Sequence, residues 1–215
     1  MSEVKIGFIG KISKVVKSPR EGFSHIEEGD LSKGLVLILF LAVFSAWSSM
    51  NYASKMEFNL VAQGFDMEQL GSSMLPFFAL GGAIGAIIRW LIPSVLLVVM
   101  AKIMVGGGSS KRMLAMTEFA SIPLIAQQLL RVADSYFISV AEVEAIMALT
   151  PLGNVPLGLL KNLLNIFNFF GLLTLLLTTH AVSINYGVKT MKAFKVAISA
   201  YIVYLALISL PLFLM

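Results

Sequence analysis

Apolar residues in this chain come in long blocks separated by short charged or glycine-rich stretches. Gly34 to Met50 runs for 17 residues without a charge, close to the lower limit for a helix that crosses a hydrocarbon core of roughly 30 Å. Trp90 to Val105 and Met113 to Leu130 form two further blocks, joined by Gly106-Gly107-Gly108-Ser109-Ser110-Lys111-Arg112. Asn162 to Thr179 and Ala193 to Leu214 complete a set of five. Between them lie polar connections at Asn51 to Ser73, Val132 to Leu160 and His180 to Lys192. The pattern predicts an all-α polytopic membrane bundle of five transmembrane helices.

Two stretches need a separate reading. Met74 to Ile88 is apolar and rich in small residues, and it runs directly into the second block. As one helix, Met74 to Val105 would be about 48 Å long at a rise of about 1.5 Å per residue. Arg89 would then sit about 25 Å from the glycine turn, beside Trp90 and near the opposite interface. The piece before it is expected to lie in the interface or to extend the second span by tilting, with a re-entrant dip as the alternative. At the amino end, Phe8, Ile9, Ile12, Val15 and Val16 recur at helical spacing while Lys11, Lys14 and Lys17 fall on another face. This suits an amphipathic interfacial segment in the headgroup region, or else a partly ordered basic tail. Ser18-Pro19-Arg20-Glu21 then carries the cap, proline and acid of a helix start. The chain accordingly divides into an amino-terminal segment, residues 1–32, and a membrane domain, residues 33–215.

Composition strengthens this reading. The 215 residues are 58% hydrophobic and only 13% charged, against about a quarter charged in soluble domains. The first 32 residues are charged throughout and lack the continuous apolar core of a removable signal peptide. With the amino terminus cytoplasmic and the carboxyl terminus outside, Lys5, Lys11, Lys14, Lys17, Arg20, Lys33, Lys102, Lys111, Arg112, Lys189, Lys192 and Lys195 face inward. Lys55, Arg89, Arg131 and Lys161 remain outside, the asymmetry expected of cytoplasmic loops. Cysteine is absent, which removes disulfides and thiolate chemistry.

Charged and amide side chains inside the blocks are the candidate sites. Lys102 and Glu118 lie eight residues on either side of Ser110, so two helices entering one membrane face would bring them to similar depth. An ion pair is expected there, serving as a structural bridge or as a proton or ion site. Gln127 with Asn162, Asn165 and Asn168 could line a polar cleft, although such amides more often bond helix to helix. Lys111 and Arg112, next to the glycine turn, are candidates for a lipid phosphate. The turn lacks the spacing of a nucleotide-binding loop. His25 and His180 stand far apart without a zinc motif, and no nucleophile elbow or paired intramembrane aspartate occurs. The expectation is a protein that is not an enzyme and takes no cofactor.

Several short stretches resemble the Yip1 domain family of five-span membrane proteins. They are Ser18-Pro19-Arg20-Glu21-Gly22-Phe23-Ser24-His25-Ile26, the glycine turn through Lys111, Ala120-Ser121-Ile122-Pro123, and the turn from Lys189 to Ala193. The resemblance covers most of the chain and points to the short prokaryotic members. The eukaryotic relatives, which look like partners of Rab-type GTPases, carry a long cytoplasmic amino-terminal region with an acidic, proline-containing motif that is not found here. It implies an integral protein, expected in a prokaryotic cell membrane, that organises membrane or binds partner proteins. Lipids and a membrane-protein partner are the expected contacts, without nucleic acid, and the Gly81 and Gly85 spacing permits a homo-oligomer. The alternative is a small transporter or channel that uses Lys102, Glu118 and the amide cluster.

Overall fold

The computed structural model describes residues 6–62, 71–139 and 155–210. Within them the chain forms α1 (Phe8–Lys17), α2 (Pro19–Ser24), a 3-10 turn (Glu28–Asp30), α3 (Leu31–Ala62) and α4 (Gly71–Met104). Then follow α5 (Ser110–Ala120), α6 (Ile122–Phe137), α7 (Val155–Ile166), α8 (Phe169–Tyr186) and α9 (Thr190–Ser209). No strand occurs among the described residues. Five segments are long and apolar enough to cross a membrane: Glu28–Lys55, Leu75–Met104, Ser110–Phe137, Phe169–Tyr186 and Thr190–Ser209. The all-α bundle and its five spans match the pattern of apolar blocks.

The piece from Met74 to Ile88 is an extension of the second span. It runs unbroken into the rest of α4 through Pro76 and Pro93. A proline inside a helix removes one backbone bond and tends to kink it. Next to Pro93, Ser94 donates its hydroxyl to the Trp90 carbonyl at 2.7 Å. Gly82 sits so close to α3 that a Cβ would collide with Ser49 and the Ser45 carbonyl. That close approach lets α3 and α4 pack along their length. The apolar segment of α4 has 30 residues and that of α8 only 18, or about 45 Å against about 27 Å.

Several boundaries differ from the sequence expectation. The third span is two helices, α5 and α6, that meet at Ser121, whose hydroxyl donates to the Glu118 carbonyl at 2.6 Å. Pro123 opens α6. The fourth span starts at Phe169 and not at Asn162, because the Asn168 side chain caps α8 by accepting from the Gly171 amide at 2.9 Å. Asn162 and Asn165 therefore belong to α7. The same span continues past Thr179 to Tyr186, so His180 is helical. It stops at Gly187, whose φ of +62° is the left-handed turn that a glycine adopts without strain. The fifth span begins at Thr190, three residues early, and the end expected at Leu214 lies outside the described residues. Residues 63–70 and 140–154 of the connections expected at Asn51 to Ser73 and Val132 to Leu160 do too; the described parts are largely helical, with α3 continuing to Ala62 and α6 to Phe137.

The amphipathic segment forms as the spacing indicates, and its inner edge packs on the bundle. Val15, Phe23 and Ile26 are fully buried, and the Phe8 ring meets Phe119 edge-on at 5.7 Å between centroids. Gly22 permits α1 and α2 to fold together, since a Cβ there would strike the Val15 backbone. Ile9 and Val16 remain exposed on the other side.

Candidate functional site

The basic turns share one end of the bundle. Gly106, Gly107 and Gly108 all have φ between +62° and +77°, so the hairpin between α4 and α5 reverses through left-handed backbone that other residues rarely adopt. A side chain on Gly108 would meet the Tyr186 ring. Ser109 caps α5 by accepting from the Arg112 amide at 3.2 Å. Asn185 donates to the Ser109 carbonyl at 2.9 Å, which joins this hairpin to the end of α8. Arg112 donates to the Ile26 carbonyl at 2.8 Å and the Ser24 carbonyl at 3.2 Å. It therefore ties the amino-terminal segment to the hairpin, while its neighbour Lys111 is exposed.

Ion pairs reinforce this end. Lys11 and Lys33 converge on Asp30, which is almost completely buried. Lys14 bonds Glu21, with the His25 ring 3.9 Å from the same carboxylate. The hydrogen bond and charge of Lys14 hold the Glu21 carboxyl below the usual carboxylate range.

The expected pair of Lys102 and Glu118 does not form. Lys102 is exposed on α4, whereas Glu118 is fully buried on α5. Neither carboxyl oxygen of Glu118 meets a hydrogen-bond donor. Gly34 of α3 lies against it, so closely that a Cβ would overlap the carboxyl group. Equal depth along a hairpin does not fix rotation about each helix axis, and here the two side chains point to different faces.

A second polar group lies toward the other end, built around Arg89 with two of the expected cleft residues, Gln127 and Asn165. Arg89 donates to the Gln127 side chain at 3.4 Å and to the Asn165 carbonyl at 3.0 Å. Beneath it a small cavity of about 30 Å³ is lined by Arg89, Trp90, Ser94, Thr117, Thr178 and Tyr201, among others. That is space for about one water molecule. The hydroxyls of Ser94, Thr117, Thr174 and Thr178 each donate to a carbonyl of their own helix, leaving lone pairs free for other partners. Of the amides proposed to act together, Gln127 and the Asn165 backbone meet through Arg89. Asn162 instead donates to the Ser209 hydroxyl at 3.1 Å, joining α7 to α9. Asn168 serves as the cap of α8.

Arg89, Arg112, Asn162 and Asn185 each bond one element to another. Among the described residues no three histidine or acidic side chains gather as metal ligands. The family model for the Yip1 domain matches residues 13–211, from within α1 to just past the end of α9. The chain belongs to the Yip1 domain family. Neither a curated protein nor a solved structure matches it. In this Yip1 protein the match takes in both polar ends, so Arg112, Glu118, Arg89 and Gln127 all belong to the family domain.

Proposed function

We propose that this Yip1 protein acts without enzymatic chemistry, organising membrane or binding partner proteins through its helix faces. One observation carries the reading: the hydroxyls inside the bundle are bonded to carbonyls of their own helices, while α4 offers its length outward. Only 22% of its most apolar window is buried, and Phe77, Leu80, Ile84, Ile88, Val95 and Ile103 are exposed along it. Gly81 and Gly85 on this helix have open space where a side chain would stand, which suits close approach by another helix.

The basic turns grouped at one end support a cytoplasmic amino terminus, an outward carboxyl terminus and a cell-membrane location. A carrier that works through Lys102 and Glu118 has less support, because one group is exposed and the other sealed. Purification in a gentle detergent, with mass spectrometry of whatever co-elutes, tests the proposal. A stoichiometric membrane protein or second copy, lost on Gly81→Leu or Gly85→Leu, is expected. A lone protein, indifferent to both substitutions, would count decisively against it.

A further inference from the structure

Glu118 is the largest polar side chain that is fully buried among the described residues. No space the size of a water molecule borders either carboxyl oxygen, and neither oxygen meets a hydrogen-bond donor. Gly34 closes the α3 side, where a methyl group would overlap Oε2. Leu37, three residues beyond Gly34, and Ala115, three before Glu118, belong to the apolar core. The charged groups on the elements packed against α5 are engaged or placed elsewhere. Lys33, beside Gly34, and Lys11 of α1 both bond Asp30, and Lys14 bonds Glu21. Glu28 of the 3-10 turn accepts from Ser109. Lys17, Lys102 and Lys111 are exposed, and Arg112 bonds the Ser24 and Ile26 carbonyls. Lys55, far along α3, bonds the Tyr136 carbonyl at 3.1 Å. His180 of α8 lines an open recess with Arg20 and Ser24. Arg89 bonds Gln127 toward the other end. Arg131 and Asp134 lie along α6, about 20 Å or more from Glu118 by helical rise.

An ionised carboxylate in this place would have neither counter-charge nor hydrogen bond, and burial makes that combination very unfavourable. A metal ion would need several oxygen ligands and room of its own. A proton needs neither, and it turns the group neutral. We propose that Glu118 binds a proton and that this proton keeps α3 seated on α5. With the proton in place, the carboxyl packs against Gly34 as an uncharged group. Without it, the carboxylate needs water or a donor, and the Gly34 stretch of α3 has to move aside to admit one. The seam between α3 and α5 is therefore a latch that alkaline conditions open. Its sign is opposite to that of an exposed carboxylate paired with a lysine, which acid releases.

The test uses the full chain in mild detergent, compared with Glu118→Gln. Infrared spectra near neutral pH should show the carbonyl stretch of a protonated carboxyl in the parent that the variant lacks. Chemical denaturation supplies the second readout. The folded chain holds the proton, and the unfolded chain releases it above the ordinary carboxylate range. Relative to the variant, the parent's unfolding equilibrium constant should therefore rise with pH between about 5 and 7. The rise should approach about tenfold per pH unit, the slope for one proton. Glu118→Met, apolar and adaptable in packing, gives the same comparison if the amide of the first variant prevents folding. An infrared stretch unaltered by both substitutions would overturn the proposal. So would a parent whose stability, relative to the variants, is flat or increases over that pH range.

Discussion

Gly34 of α3 lies directly against the carboxyl group of Glu118 on α5, with no room for a methyl group between them. Gly34→Ala should therefore destabilise the bundle by about 1–3 kcal/mol, the usual cost of overpacking. Glu118→Ala should relieve the clash, so the double variant should lose less than the sum of the single ones. Thermal unfolding in one detergent would measure all three. Additive losses would mean that the two residues are not in contact.

Lys102 tests the other side of the same expectation. Because it is exposed and unpaired with Glu118, Lys102→Gln should change stability by no more than about 0.5 kcal/mol. A loss of several kcal/mol, matched by Glu118→Gln and absent when the two are combined, would restore the ion pair.

Arg112 anchors the amino-terminal segment through two backbone carbonyls. Arg112→Gln should cost about 1.5–3 kcal/mol, as for hydrogen bonds to a charged group, with the loss confined to docking of α1 and α2. Hydrogen exchange would show faster exchange over residues 8–24 and little change in α8. Uniform acceleration over every helix would instead mark global destabilisation.

The Lys14–Glu21 bond joins α1 to α2 and gives the docking of these two helices on each other a pH dependence of known sign. A carboxyl held below its ordinary value stabilises the docked form fully at neutral pH, and the contribution is lost as pH falls through the lowered value. Exchange over α1 and α2 should stay flat from pH 8 down to about 5 and rise only below about 4. Glu21→Gln should lessen the acid-side rise and leave the part carried by the Lys11–Asp30 pair. Since Glu21 is exposed, added salt should weaken the effect.

Apolar block length made the five spans legible, and helical spacing made α1 legible. Boundaries were less so where one side chain decides them. Asn168 reads equally well as a polar residue inside a span or as a cap, and only its bond to the Gly171 amide separates the two. Depth counting placed Arg89 well, because α8 begins beside it. The same counting failed for Lys102 and Glu118, since rise along a helix says nothing about rotation around it.

The unequal lengths of α4 and α8 have a consequence for the surrounding bilayer. One flank of the protein is suited to thick membrane and the other to thin, by about 18 Å before tilt from the helical rise. Neighbouring lipids must stretch on one side and shorten on the other, or the molecule must lean. Such a wedge would settle where thickness changes, as at the border between two lipid phases, rather than in a uniform sheet. Enrichment of labelled protein along that border in phase-separated vesicles would make the gradient visible, and an even spread across both phases would show that tilt absorbs it.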